Sequence, residues 1–191
     1  MDPATERDLV DRLRRGDGAA FDSVYAAFRA PIFGFLARLS GRRDLAEELL
    51  QETFVRLAAR ATTLRDDTRL GAWLYTVARN LFLSHARMTA LDAERIDRAS
   101  LADPARPATP FEEAAANQTQ LALERALAGL PASYREVLLL VAVDKMEPSE
   151  AAQVVGVSPE TLRQRLSRAR TMMKEALTDR PIGRSAAGDV A

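Results

Sequence analysis

The stretch 158–174, S-P-E-T-L-R-Q-R-L-S-R-A-R-T-M-M-K, decides how this chain is read. Ser158 is an N-cap residue, and Pro159 suits the first helical position, where its missing N–H would be unpaired in any case. Leu162, Leu166, Ala169 and Met173 recur at helical spacing and predict one face turned to a core. Arg163, Arg165, Arg168, Arg170 and Lys174 oppose a single acid, Glu160, in a chain whose 27 basic and 27 acidic residues cancel. A locally cationic helix in a neutral protein points to a polyanion met at one place.

The residues just upstream make the pattern more specific. Pro148, Ser149 and Glu150 can start a short helix that carries Ala151, Ala152, Val154 and Val155. Gly156 follows, then Val157, then the Ser158 cap. A short helix, a tight glycine turn and a second capped helix make a helix-turn-helix, whose second helix lies in the DNA major groove. Glycine is needed if a turn residue takes positive φ. The same pattern also fits an ordinary helical hairpin with a solvated basic face.

Composition agrees with an all-α fold. Of 191 residues 47% are hydrophobic, so a sizeable core can form, and glycine and proline are sparse beside Ala, Leu, Arg and Glu. The absence of cysteine excludes disulfides and thiolate metal sites and fits a reducing, cytoplasmic setting. Residues 1–10 are charged and have no apolar signal region. No apolar run approaches the roughly 20 residues that span a bilayer, so no direct membrane insertion is expected.

Outward from the helix-turn-helix, the chain divides. Thr5 is expected to cap a helix over 6–15 that Gly16 ends. Phe21, Val24, Tyr25 and Phe28 form a core stripe; Pro31 is expected to open another helix with Ile32, Phe35, Leu36 and Leu39 inside and Gly41 at its close. Asp44 with Glu47 reads as a capping box before a helix whose stripe is Leu45, Leu49, Phe54 and Leu57. Residues 62–71 read as a loop and 72–88 as a last helix carrying Trp73, Leu74, Val77, Leu81 and Phe82. The segment 96–111 holds a run with three prolines, D-P-A-R-P-A-T-P, and reads as a flexible linker. An alanine-rich helix over 112–130 and a further element over 132–143 precede the helix-turn-helix. The expected plan is two helical domains, 1–95 and 112–178, with a disordered tail at 179–191.

Four pieces now stand in order: D-L-A-E-E-L-L-Q-E-T-F-V-R-L at 44–57, G-A-W-L-Y-T-V-A-R-N at 71–80, L-P-A-S-Y-R-E-V-L at 130–138, and V-G-V-S-P-E-T-L-R-Q-R-L-S-R-A-R at 155–170. In sequence and order the chain resembles the extracytoplasmic-function (ECF) sigma factors of the sigma-70 family, bacterial transcription initiation factors. With the helices between them, these pieces cover nearly all of the chain outside the linker and tail. The resemblance implies that the first domain is sigma region 2, which grips RNA polymerase and opens the −10 element. The second would be sigma region 4, which reads the −35 element as duplex. The implied partners are core RNA polymerase, through its largest-subunit clamp helices and its flap, promoter DNA, and an anti-sigma factor; no cofactor is implied.

The residues suit these roles. Glu48, Gln51 and Glu52 share one helix face, and the resemblance implies that this face docks on the clamp helices. Carboxylates and an amide match an arginine-rich groove through charge-assisted bonds. Asn80 matches a −10 strand contact, since an amide both donates to and accepts from a base edge. Arg79 and Arg87 can hold phosphates. Trp73 is read either as a stacking platform for a −10 base or as core, and Tyr75 shares that ambiguity. Loop 62–70 would shape the pocket for an extruded base. On the second domain Arg163, Gln164, Ser167 and Arg168 match base and phosphate positions, with Arg suited to guanine and Gln to adenine. Thr161 can bond a phosphate near the helix start.

Two departures from the family pattern stand out: V-D-K-M-E-P-S-E replaces the usual glycine-bearing loop before the helix-turn-helix, and Ser167 stands where a bulkier residue is common. Catalysis is not expected. There is no G-x-x-x-x-G-K-S/T loop, no His/Cys cluster, and His85 is the only histidine. The adjacent carboxylates at 47/48 and 112/113 diverge by about 100° per residue and cannot share a face. The alternative is a stand-alone helix-turn-helix regulator whose N-terminal helices dimerise. It leaves Glu48, Gln51, Glu52 and Asn80 without a role.

Overall fold

The computed structural model describes residues 3–96 and 118–178. The helices are α1 (Pro3–Arg14), α2 (Gly18–Ser40), α3 (Arg43–Arg60), α4 (Leu70–Ile96), α5 (Gln118–Ala128), α6 (Ala132–Leu138), α7 (Pro148–Val155) and α8 (Pro159–Thr178), and there is no strand among the described residues. The all-α expectation therefore holds. The proposed linker, apart from Ile96, and the proposed tail lie outside the described residues, as does the 112–117 start of the alanine-rich helix.

The first group, α1–α4, closes around Val10, Val24, Ile32, Phe35, Leu36, Leu57, Leu70 and Leu74. Gly16 at φ 77° and Gly41 at φ 69° end α1 and α2 in the left-handed region. That region is open to glycine without a Cβ clash. Asp17 caps α2 by accepting from Ala19 N (2.9 Å) and is held by Arg12 Nε at 2.8 Å, which ties α1 to α2. The Arg12 guanidinium keeps the Asp17 carboxyl below its ordinary range.

Four local expectations are corrected. α1 begins at Pro3, so Thr5 lies within it and is not its cap. Pro31 opens no helix: α2 runs unbroken from Gly18 to Ser40. Proline there forfeits the bond to the Ala27 carbonyl, but both residues face solvent, while Ile32, Phe35, Leu36 and Leu39 bury beside it. Tertiary burial outweighs the local penalty. Asp44 is not the cap of α3, because the helix starts at Arg43 after Arg42. Asp44 instead sits in the first turn bonded to Arg42, which holds its carboxyl below the usual range, and Glu47 pairs with Arg43 at 3.1 Å. Finally, α4 starts at Leu70 and runs on to Ile96. The loop before it is shortened further by a tight helical turn at Ala61–Thr63.

The second group, α5–α8, buries Val137, Leu139, Leu140, Ala151, Val154, Leu162 and Ala169. After α6 the helix widens through Leu139–Val143, with Asp144 N bonded to Leu139 O at 2.9 Å. Lys145 then takes φ 57°, and Met146 N bonds Leu140 O at 2.9 Å, a left-handed C-terminal stop. This turn replaces the glycine-bearing loop of the family pattern and leaves Pro148 at the first position of α7.

The two groups pack together: α2 meets α5 and α6, and α4 meets α7. Their buried side chains form one continuous cluster.

Candidate nucleic-acid and polymerase interface

The helix-turn-helix is built as its residues dictate. Gly156 (φ 72°) closes α7, its N–H bonding Ala152 O at 2.9 Å. Ser158 Oγ accepts from Thr161 N at 3.1 Å, the N-cap bond expected of it, and lies 2.9 Å from Thr161 Oγ1. Leu162, Leu166 and Ala169 bury against the second group. That anchoring turns Arg163, Gln164, Ser167 and Arg168 outward together, all exposed. Thr161 is half-buried at the start of the same helix. The exposed row has guanidinium, amide and hydroxyl groups, the set that can read base edges and phosphates. Arg165 points elsewhere, with 31% of its side chain exposed and Nη1 3.8 Å from Glu136.

On α3, Leu45, Leu49, Phe54 and Leu57 bury as expected, and buried Thr53 donates to Leu49 O at 2.7 Å. Glu48 and Gln51 are exposed on the opposite side. Glu52 is half-buried and accepts from Arg56 Nε at 2.9 Å, so it is already partly neutralised. Val55, 60% exposed, extends the same face one turn further; an apolar residue there was not anticipated.

On α4, Trp73, Asn80 and Arg87 fall at seven-residue spacing and thus share a face. Asn80 and Arg87 are exposed. Trp73 is half-buried and packs against the core, with part of its ring left at the surface. Tyr75 is core: it is 4% exposed and edge-on to Phe35 at 5.3 Å. Beside this helix, Leu64, Arg65, Asp66 and Asp67 of the preceding loop form an open cleft with Arg14 of α1. Asp66 contacts Arg14, and Arg65 pairs with Asp67 at 3.0 Å.

Arg79 lies off the Trp73–Asn80–Arg87 face. Its Nε donates to Glu136 Oε2 at 2.7 Å and its Nη2 to Glu136 Oε1 at 3.2 Å. Only 14% of its side chain is exposed, and 5% of that of Glu136. The pair spans the seam between the two groups. Around it, Arg38 grips Glu124 (2.9 and 3.0 Å), and Arg135 Nη1 donates to the Arg38 and Leu39 carbonyls at the end of α2 (3.3 and 3.0 Å). A cation there complements the negative end of the helix. Tyr75 meets Asp144 across the same seam, and burial raises both groups, Asp144 to about 6. Asp144 Oδ2 has no hydrogen-bond partner, as suits a carboxyl pushed toward its neutral form. Of these seam residues, Arg38, Glu124, Arg135, Glu136 and Asp144 were missed by sequence reasoning, and Arg79 was read only as a phosphate contact. The one available signal was Glu136 itself, a lone acid beside the apolar run 137–143.

Among the described residues no helix is long and apolar enough to cross a membrane. Residues 24–90 match the family model of Sigma-70 region 2, and residues 120–173 that of Sigma-70, region 4. The chain is 33% identical over 174 residues to the ECF RNA polymerase sigma factor EcfG of Rhodopseudomonas palustris (strain TIE-1), covering 88% of this chain and 87% of that one. It is 31% identical over 169 residues to the RNA polymerase sigma factor CarQ of Myxococcus xanthus, covering 88% and 95%. Among solved structures, the sigma factor RpoE from Bartonella quintana, crystallised with the anti-sigma factor NepR, superposes with TM-score 0.68 at 27% identity, over 84% of this chain and 98% of that one. With both regions in order along one chain and a relative 33% identical across 88% of it, the chain belongs to the ECF RNA polymerase sigma factors, which are DNA-binding transcription initiation factors.

Proposed function

We propose that this sigma factor engages promoter DNA through two helix faces and core RNA polymerase through a third. Residues 1–95 act as region 2 and residues 112–178 as region 4, with 96–111 as the strap between them and 179–191 as a tail. Arg163, Gln164, Ser167 and Arg168, with Thr161 at the helix start, read the −35 element in the major groove. Asn80, Arg87 and the exposed part of Trp73, with loop 62–70, take the opened −10 strand, and Arg79 adds a phosphate contact once it is released from Glu136. Glu48, Gln51 and Glu52 dock on the clamp helices of the largest subunit, while region 4 meets the flap. The protein acts in the cytoplasm, by binding rather than by bond making. An anti-sigma factor controls it, a reading supported by the likeness to Bartonella RpoE in its NepR complex.

The observation that carries this reading is the outward row Arg163, Gln164, Ser167 and Arg168 on a capped helix whose opposite face is buried. Reconstitution with core polymerase on fragments of the native genome tests it. Promoter-specific transcripts are expected. Tight duplex binding by the protein alone, with no such transcripts from any fragment, would refute it in favour of the stand-alone regulator. In the same assay, reversing charge with Glu48→Lys and Glu52→Lys is expected to weaken polymerase binding by roughly a hundredfold, two charge-assisted bonds being lost, while the helical signal is unchanged. Unaltered polymerase affinity would remove the docking assignment.

A further inference from the structure

We propose that Glu136 is an internal stand-in for DNA phosphate, a latch that holds this sigma factor closed and inactive by occupying one arginine from each DNA-reading helix. The proposal rests on the reading above that α4 and α8 bind DNA. Arg79 comes from α4 and Arg165 from α8, and both converge on one carboxylate, at 2.7 and 3.2 Å and at 3.8 Å. The Arg79 contact is two-pronged, using the same guanidinium edge that would grip two phosphate oxygens. Glu136 is 4% exposed, so the pairing is screened little by water or salt.

The geometry is incompatible with reading a promoter. The −10 and −35 elements are separated by roughly 25 base pairs, or about 85 Å of B-form axis at about 3.4 Å per pair. In the closed chain, cations from the two DNA-reading helices sit on a single side chain. The seam must therefore part before both elements are engaged. Parting it frees Arg79 and Arg165 together, so opening and the gain of two phosphate ligands are one event. The Arg38–Glu124 pair and the Arg135 bonds to the end of α2 close the same seam without drawing on either DNA-reading helix.

The test uses the full chain. It contains no cysteine, so Arg7→Cys and Glu175→Cys, at exposed positions on α1 and α8, can carry a fluorophore pair reporting the spacing of the two groups. The probe is a mixed-sequence single-stranded DNA 12-mer, titrated at several salt concentrations. Glu136→Gln, which keeps the shape and removes the charge, is expected to lower energy transfer. It is also expected to tighten DNA binding about tenfold, because the competent fraction rises, and to steepen the salt dependence by about one to two phosphate contacts. Adding Arg79→Gln to that variant should remove most of the gain.

Unchanged energy transfer in Glu136→Gln would overturn the latch while leaving the DNA-binding reading intact. Lower transfer with unchanged DNA affinity would show an open chain whose freed arginines do not bind DNA, and would overturn the proposal. A gain that survives Arg79→Gln would remove Arg79 from the DNA site, and the latch as stated with it. Should Glu136→Gln lose its helical signal, Glu124→Gln opens the seam from its other end. A smaller gain in the same direction is then expected, and no gain overturns the proposal.

Discussion

The two helices that carry the DNA-reading candidates present them differently. On α8, Arg163, Gln164, Ser167 and Arg168 are exposed, and their direction follows from the buried Leu162, Leu166 and Ala169 behind them. On α4 the candidates split. Asn80 and Arg87 face solvent, whereas Arg79, one residue from Asn80, is sealed against Glu136 of the other group. A rotation of about 100° per residue separates a free ligand from a sequestered one. Residue type and motif position thus nominate candidates for DNA contact, whereas the seam decides which of them are exposed.

Substituting one member from each side gives the largest contrast. Arg79→Ala leaves Glu136 buried, with only the 3.8 Å contact to Arg165. It is expected to cost about 3 kcal/mol of stability, the penalty of an uncompensated buried charge, read from the urea midpoint. A loss below about 1 kcal/mol would erase the distinction between the two helices. Arg163→Ala is expected to weaken duplex binding by about 1–3 kcal/mol, roughly 5- to 150-fold, and to shift stability by no more than about 0.5 kcal/mol. A stability loss comparable to that of Arg79→Ala would mean that α8 is also tied into the seam.

The smallest effect is pH-dependent. Burial raises the Asp144 carboxyl to about 6, above its ordinary 3.8, against the lowering influence of Tyr75 and Arg38, which face it. The folded chain holds this proton more tightly than the unfolded one. Its contribution is complete below about pH 4 and is lost as pH rises through about 6. At the seam surface, screened by solvent, it amounts to about 1 kcal/mol. Asp144→Asn is expected to remove this part of the slope when urea midpoints at pH 4.5 and pH 7 are compared with those of the parent chain. An identical slope in the variant would place the titration elsewhere.

Much of the fold was legible. The core stripes of α3 and α8, the Gly41 and Gly156 stops and the Ser158 cap rest on interactions between residues a few positions apart. Errors arose where another contact, distant or close by, overruled the expected local signal. Pro31 reads as a helix start, yet the buried row from Ile32 to Leu39 carries α2 through it. Asp44 and Glu47 read as a capping box, yet each is taken by a neighbouring arginine. Trp73, read as either platform or core, is half-buried and packs against the core.

The all-α class, the order of the two sigma regions, the identity of the recognition helix and the outward row upon it were determined by the sequence alone. Periodicity and capping act within one or two turns and can be read without knowing what lies across the chain. The pairing of Arg79 with Glu136, 57 positions apart, and of Arg38 with Glu124, 86 apart, was decided only by tertiary structure. An arginine on a helix carries no local mark of whether a carboxylate awaits it from another group or water does. That choice depends on how two apolar faces pack, and in this protein it sets which of the proposed DNA ligands are exposed.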